Sequence, residues 1–266
     1  MSFASVNAQL GNSTATDMPE LESLPDASGL ANSKIIDLSD LTTNPNSYDF
    51  FTFRPNLEKL ILSGAADTEH ISILWYTVPN GSVGPHYHSM TESVYTIEGT
   101  QTDSKGVYPT GSLYFNPPGS GHEISESTGF FILAYASPPD FANTDLIEDY
   151  TPVQINTSDP DLESIYPFEN QREGLWVYDV PLDPQGGMSA QFIRSTSSQR
   201  YEYQGNYLLV LRGSCNIAGT VFDENMLVVA TTVEPQSYEV SGNEDNSCLA
   251  LGLSFLNSEL DTEQVL

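Results

Sequence analysis

Three histidines and a glutamate, spaced closely in the first half of the chain, are the residues that could do chemistry. His86 and His88 stand one residue apart, so on a β-strand both imidazoles leave the same face. Glu92 follows after a short break, and Gly99 closes the strand beyond it. Gly111 opens a second short strand, Pro117, Pro118, Gly119 and Gly121 make a turn, and His122 comes directly after it. Two neighbouring strands can thereby bring His86, His88, Glu92 and His122 to one point. Borderline nitrogen donors plus one hard oxygen suit a divalent transition metal. A lone histidine near an apolar strand is usually structural, but an HxHxxxE run followed by PPGSGH concentrates three of the chain's 4 histidines in one stretch. His70, in DTEHISIL, falls outside this spacing and reads as a surface residue or one standing behind the ligands.

Four protein ligands leave one or two positions open on a metal that takes five or six, which separates a catalytic site from a closed structural one. With neutral imidazoles, Glu92 and a divalent ion the centre carries about +1, suited to an enolate, a catecholate-like chelate or a carboxylate. Fe(II) would admit a chelating substrate together with dioxygen. Zn(II) would polarise a carbonyl or activate water. One divalent ion per chain is expected, with Fe, Zn, Mn and Ni all compatible with the donors.

This stretch resembles the two cupin motifs. The first is carried by His86, His88, Glu92 and Gly99, and the second by Gly111, Pro117, Gly119 and His122. An Asn often follows the second-motif histidine in that family, whereas here Glu123, Ile124, Ser125 and Glu126 follow, a departure that leaves the ligand positions intact. The text YTIEGTQTDSKGVYPTGSLYFNPPGSGHE is most similar to the cupin domain of ChrR-type zinc-binding anti-sigma factors and to mononuclear-iron dioxygenases such as dihydroxyacetophenone dioxygenase. The resemblance implies an all-β fold, a double-stranded β-helix of jelly-roll type.

The elements that must hold such a site agree with it. From Lys34 onward, short β-branched and aromatic runs such as LEKLILSG, ISILWYTVPNG, VYTIEG and GFFILAYASPP alternate with Gly, Pro, Asn and Asp, the pattern of antiparallel β structure. Residues 1–33 read as an arm, partly disordered, 34–140 as the metal-binding barrel, and 141–161 (acidic and poor in strand pattern) as a linker. Residues 162–258 repeat the first barrel: FRPNLEKLIL parallels QREGLWVYDV, VYTIEGT parallels LLVLRGS, and Gly99 matches Gly213. A repeat of this length implies two tandem barrels, a bicupin.

In the second barrel Tyr201 and Tyr203 take the places of His86 and His88, Asn206 that of Glu92, and Tyr238 that of His122. A phenol with a pKa near 10 must ionise before it binds a cation well, so this degenerate second site is expected to be metal-free. Around the first site strand alternation puts Val94 and Thr96 on the face of Glu92 with Tyr95 turned away, and Trp75, Tyr114, Phe131 and Tyr135 are further candidates for pocket walls.

With 36 acidic residues against 8 Lys and Arg, the surface repels phosphate backbones and anionic membranes, so no nucleic acid and no membrane is expected as partner. The start lacks a secretory signal pattern and no stretch is long enough to span a bilayer, which reads as cytoplasmic. Cys215 and Cys248 read as buried apolar residues rather than as a redox pair. Monomer and homodimer are equally compatible with the chain.

The function read from these residues is a metal-dependent enzyme, an Fe(II) dioxygenase-type cupin acting on a small oxygenated organic molecule such as an aryl ketone or diketone. The alternatives are a sensing module and a non-catalytic binding bicupin. Against the first alternative, the first 69 residues contain no His and no Cys, so they cannot be the zinc-binding helical domain of the anti-sigma factors.

Overall fold

The computed structural model describes residues 29–147, 149–242 and 247–256, so most of the arm expected over residues 1–33 lies outside the described residues. The apolar and β-branched runs do become strands. In chain order come β1 (Ser33–Asp37), α1 (Leu38–Thr43), β2 (Phe51–Arg54), β3 (Leu57–Gly64), β4 (His70–His88), β5 (Glu92–Thr102), β6 (Val107–Pro109), β7 (Ser112–Asn116), β8 (Ser120–Tyr135) and β9 (Val153–Asn156). The second half adds α2 (Leu162–Ile165), β10 (Glu169–Arg172), β11 (Leu175–Asp179), β12 (Met188–Ser195), β13 (Tyr201–Gly205), β14 (Tyr207–Ile217), β15 (Thr220–Asp223), β16 (Met226–Ala230), β17 (Gln236–Gly242) and β18 (Cys248–Phe255).

The strands form two antiparallel sheets. One runs β2-β3-β4-β8-β5-β7-β9 with β6 on β5. The other runs β1-β16-β14-β18-β12-β11-β10, with β15 and β17 on β14 and β13 on β17. The sequence repeat is visible in register: β5 slips between Thr96 and Glu98 against β8, and β14 slips between Val210 and Arg212 against β18.

Two segments pair differently from a simple division at a linker. Ser33–Asp37 adds to the second sheet by pairing with Met226–Ala230. Val153–Asn156, inside the segment read as linker, adds to the first sheet beside Phe115–Ser112. Each sheet therefore gains an edge strand that local composition could not assign, because edge pairing is a long-range choice. No helix among the described residues is long and apolar enough to cross a membrane.

Alternation along β5 and β14 divides the core. Tyr95, Leu113 and Ile132 from the first sheet share one apolar cluster with Tyr207, Leu209 and Leu251 from the second. Val94, Tyr114, Phe131 and Leu133 fill the interior of the first barrel instead. The second barrel is filled by Tyr203, Leu208, Val210, Tyr238 and Ala250.

Cys215 and Cys248 correct the sequence reading. Both are buried as expected, but they are joined in a disulfide with a Cα–Cα distance of 4.9 Å. The cause is register: β14 pairs with β18 so that Gly213 faces Cys248, which leaves Cys215 diagonally adjacent. A sequence separation of 33 gives no hint of that neighbourhood.

Gly99 and Gly129 face each other across β5 and β8 with φ of +96° and +97°. A Cβ on either would lie 2.0 Å from a carbonyl oxygen of the opposite strand. Gly99→Ala is therefore expected to cost about 2–4 kcal/mol of stability. Chemical denaturation checks this, and an unchanged midpoint would mean that the strands part without penalty.

Candidate metal centre

The site is set by cross-strand rows. His86 on β4 faces His122 on β8, while Glu92 at the start of β5 faces Tyr135 on β8 and Asn116 on β7. The same-face rule for alternate residues brings His88 to the same point. The Nε2 atoms of His88 and His122 stand 3.1 Å apart. Glu92 Oε2 is 3.3 Å from His88 Nε2 and 3.6 Å from His122 Nε2. His86 completes the group: its ring centroid is 4.9 Å from that of His88 and 4.6 Å from that of His122. All four side chains are buried.

Neighbouring groups fix which nitrogens face inward. His86 Nδ1–H donates to the Gly84 carbonyl at 2.9 Å, and His122 Nδ1–H donates to Asp103 Oδ2 at 3.1 Å. In both rings this turns Nε2 to the interior, the atom that would ligate a metal. Asn116 Nδ2 donates to Glu92 Oε2 at 2.8 Å and holds the carboxylate in place. Asp103 is itself held by Tyr108 Oη at 3.1 Å and by the Lys105 and Gly106 amides.

The electrostatics follow from this packing. Burial by itself resists ionisation of Glu92, but the surrounding imidazoles of His88, His122 and His86 outweigh it and hold the carboxyl well below the usual range. Burial lowers His86, and it lowers His88 to about 4. His122 goes the other way: burial would lower it, but hydrogen bonds to Asp103 and Glu92 raise it to about 9. Two imidazole nitrogens and a carboxylate oxygen thus crowd one buried point, and His88 Nδ1 has no hydrogen-bond partner. A divalent cation answers that arrangement, and among the described residues His86, His88 and His122 form the group whose ligand atoms could hold one.

Asp103 is the residue that sequence reading missed. Its signal was weak, since TDSKG reads as an ordinary Asx turn. Its loss should weaken metal binding about 10- to 100-fold. Asp103→Asn compared with wild type in a competitive chelator titration measures that, and equal affinities would remove Asp103 from the account.

A cavity of about 240 Å³ opens onto His86, Glu92 and His122. Of the six residues expected from the sequence as pocket walls, Tyr135 lines it, and Val94, Thr96, Trp75, Tyr114 and Phe131 do not. Val94, Thr96, Tyr114 and Phe131 do point inward, but they are packed solid: Tyr114 stacks on Tyr108 at 3.9 Å, and the Thr96 hydroxyl lies 3.3 Å from the Tyr108 carbonyl. Trp75 faces the other way and stacks on Phe130 at 5.5 Å. Beside Tyr135 the wall is built from Phe53, Leu74, Tyr76, Leu133 and Phe141 together with Arg54, Lys59 and His70. His70 is fully buried, not on the surface, because its row on β4 faces Tyr135.

The tyrosines of the second barrel do not converge. Tyr201 Oη donates to Gln191 Oε1 at 3.2 Å, Tyr238 Oη lies 3.1 Å from Ser33 Oγ, and the buried Tyr203 hydroxyl has no hydrogen-bond partner. Pairing also places Tyr203 opposite Tyr238, whereas His86 is the residue opposite His122. Asn206 spends its side chain on the backbone, accepting from Phe255 N at 2.7 Å and donating to the Val233 carbonyl at 2.6 Å.

Comparison with known proteins adds the following. Residues 38–138 match the family described as ChrR Cupin-like domain. Among solved structures, the chain is similar to a cupin 2 conserved barrel domain protein from Leptotrichia buccalis at 10% identity and a TM-score of 0.53, covering 84% of this chain and 96% of that one. It is also similar to a protein from Nostoc punctiforme named as a candidate dioxygenase, at 10% identity and a TM-score of 0.54, covering 87% of this chain and 85% of that one. At such identities the likeness shows the fold alone. Among curated proteins the chain has no match.

Proposed function

Starting from a chain whose residues 38–138 form a ChrR cupin-like domain, we propose that it is a mononuclear metal enzyme of dioxygenase type acting on a small oxygenated organic molecule. The observation that carries this is the convergence of His88, His122 and Glu92 at 3.1–3.6 Å around a point that also borders a cavity lined by both apolar and charged side chains. A centre that served only to brace the barrel has no use for such a cavity. Fe(II) held by His86, His88, Glu92 and His122 would supply dioxygen chemistry with one or two positions left for substrate.

The residues of the chain do the rest. Asp103 and Gly84 hold the rings of His122 and His86 with Nε2 inward. Asn116 keeps Glu92 oriented. Phe53, Leu74, Leu133 and Phe141 give the substrate chamber its apolar wall. The phenols of Tyr76 and Tyr135 stay protonated, because burial first and then the Glu92 charge push them far up. Tyr76 can therefore donate a hydrogen bond to a substrate oxygen, the Tyr135 hydroxyl donates to Glu92, and neither acts as a base.

Oxygen uptake by protein loaded anaerobically with Fe(II) and offered β-diketones or hydroxyaryl ketones tests this reading. Consumption coupled to substrate loss is expected. Tightly held zinc with no uptake would favour the second reading, a ligand-sensing module, which the ChrR-like match over residues 38–138 makes the next candidate.

A further inference from the structure

The cavity holds a pair of cations that the metal centre does not use. In a chain with 36 acidic residues and 8 Lys and Arg, basic side chains find carboxylates easily. Arg194 and Arg212 meet Glu163, and Arg200 meets Glu239. Arg54 and Lys59 both line the cavity, and neither makes an ion pair among the described residues. Arg54 Nε is buried with no hydrogen-bond partner. Lys59 is 3% exposed, and its ammonium sits 4.9 Å from the Phe53 ring and 5.3 Å from the Tyr135 ring. Arg54 lies over the same Phe53 ring, at 5.3 Å.

His70 explains why Lys59 is held there. His70 Nδ1–H donates to the Thr68 carbonyl at 2.8 Å, so its Nε2 accepts from Lys59 Nζ at 2.8 Å. The imidazole is thus a neutral prop that positions the ammonium without neutralising it. The rest of the ammonium faces the Phe53 and Tyr135 rings and the cavity. The sole carboxylate in the lining is Glu92, which is committed to Asn116 and the imidazoles. A buried cation of this kind is costly unless an anion comes to it. Burial pulls Lys59 down to about 8, an effect that the Glu92 charge only partly offsets.

Resting on the reading of this cavity as the substrate chamber, we propose that Lys59, with Arg54 beside it, binds the carboxylate of a small organic acid whose apolar body fills the space between Phe53, Leu133 and Phe141. The substrate class is then narrowed from neutral ketones to small keto or hydroxy acids, with the carboxylate at Lys59 and the reacting oxygens toward His86 and His122. A volume of about 240 Å³ restricts such an acid to roughly one ring or a short branched chain, below the roughly 300–1,000 Å³ of sites for larger ligands.

Benzoate and its neutral isostere benzamide are the probes, titrated calorimetrically into the full chain stripped of metal by chelation. Benzoate is expected to bind about 10- to 100-fold more tightly than benzamide, the difference a charge-assisted hydrogen bond makes. Lys59→Met should abolish that preference, lowering benzoate affinity far more than benzamide affinity. Equal affinities for the two probes, no binding of either, or a preference that survives in Lys59→Met would each overturn the proposal. Lys59→Gln, which keeps a polar side chain without the charge, is the second variant should Lys59→Met not fold, and it too should lose the preference. Because no metal is present, a benzoate preference that depends on Lys59 stands whether or not the iron-loaded protein consumes oxygen, so failure of one reading is distinguishable from failure of the other.

Discussion

His122→Ala and His88→Ala should each lower metal affinity by more than about 100-fold, beyond the loss expected for an outer partner such as Asp103. Each change deletes one of the four donors and leaves the others too few and too far apart to close the shell. His122 matters doubly, since it also links the shell to Asp103 through the 3.1 Å bond from Nδ1. Tyr203→Phe is the matched control in the second barrel. The Tyr203 hydroxyl has no partner and belongs to an apolar cluster, so its removal should leave metal content unchanged. Metal analysis of the purified variants checks all three. Alanine variants that keep their metal, or a phenylalanine variant that loses it, would show that the ion binds elsewhere.

The second large effect concerns the cross-link between β14 and β18. Cys215→Ser, or reduction of the wild type, should cost about 3–4 kcal/mol, the loop-closure value for a bond spanning 33 residues. Both cysteines are buried among Leu208, Val210 and Ala250, so the serine hydroxyl adds a smaller desolvation cost of its own. Urea unfolding with and without a reductant that reaches the denatured chain measures the term. Metal affinity under native conditions should not change, because the site lies in the other sheet. Identical unfolding midpoints would mean that the two thiols are not joined.

Much of the architecture was legible from the chain. The period-two alternation that set Val94 against Tyr95 in the sequence is what sends one into the barrel and the other into the core shared by the two sheets. The spacing of His86, His88, Glu92 and His122 already implied convergence, because strand geometry leaves few other arrangements. The pocket was not legible for the same reason that the strands were: alternation tells which face a residue takes, not whether its neighbours fill the space. Tyr114 points inward and is stacked tight, while Phe141, from a segment with no strand pattern, forms cavity wall. His70, Lys59 and Arg54 were invisible as a group because they come together through the pairing of β2, β3, β4 and β8, and no motif records it. The disulfide, the edge strand of residues 33–37 and that of residues 153–156 were hidden by the same long-range register.

The central claim is a single divalent metal held by three imidazoles and one carboxylate. X-ray absorption at the metal edge, on protein purified without a metal-affinity column and quantified by plasma mass spectrometry, tests it most directly. The account predicts one ion per chain, with a first shell dominated by imidazole scattering plus oxygen, and loss of that signature in His88→Ala. Protein that binds no metal under any loading condition, or an ion whose shell contains no imidazole, would contradict it.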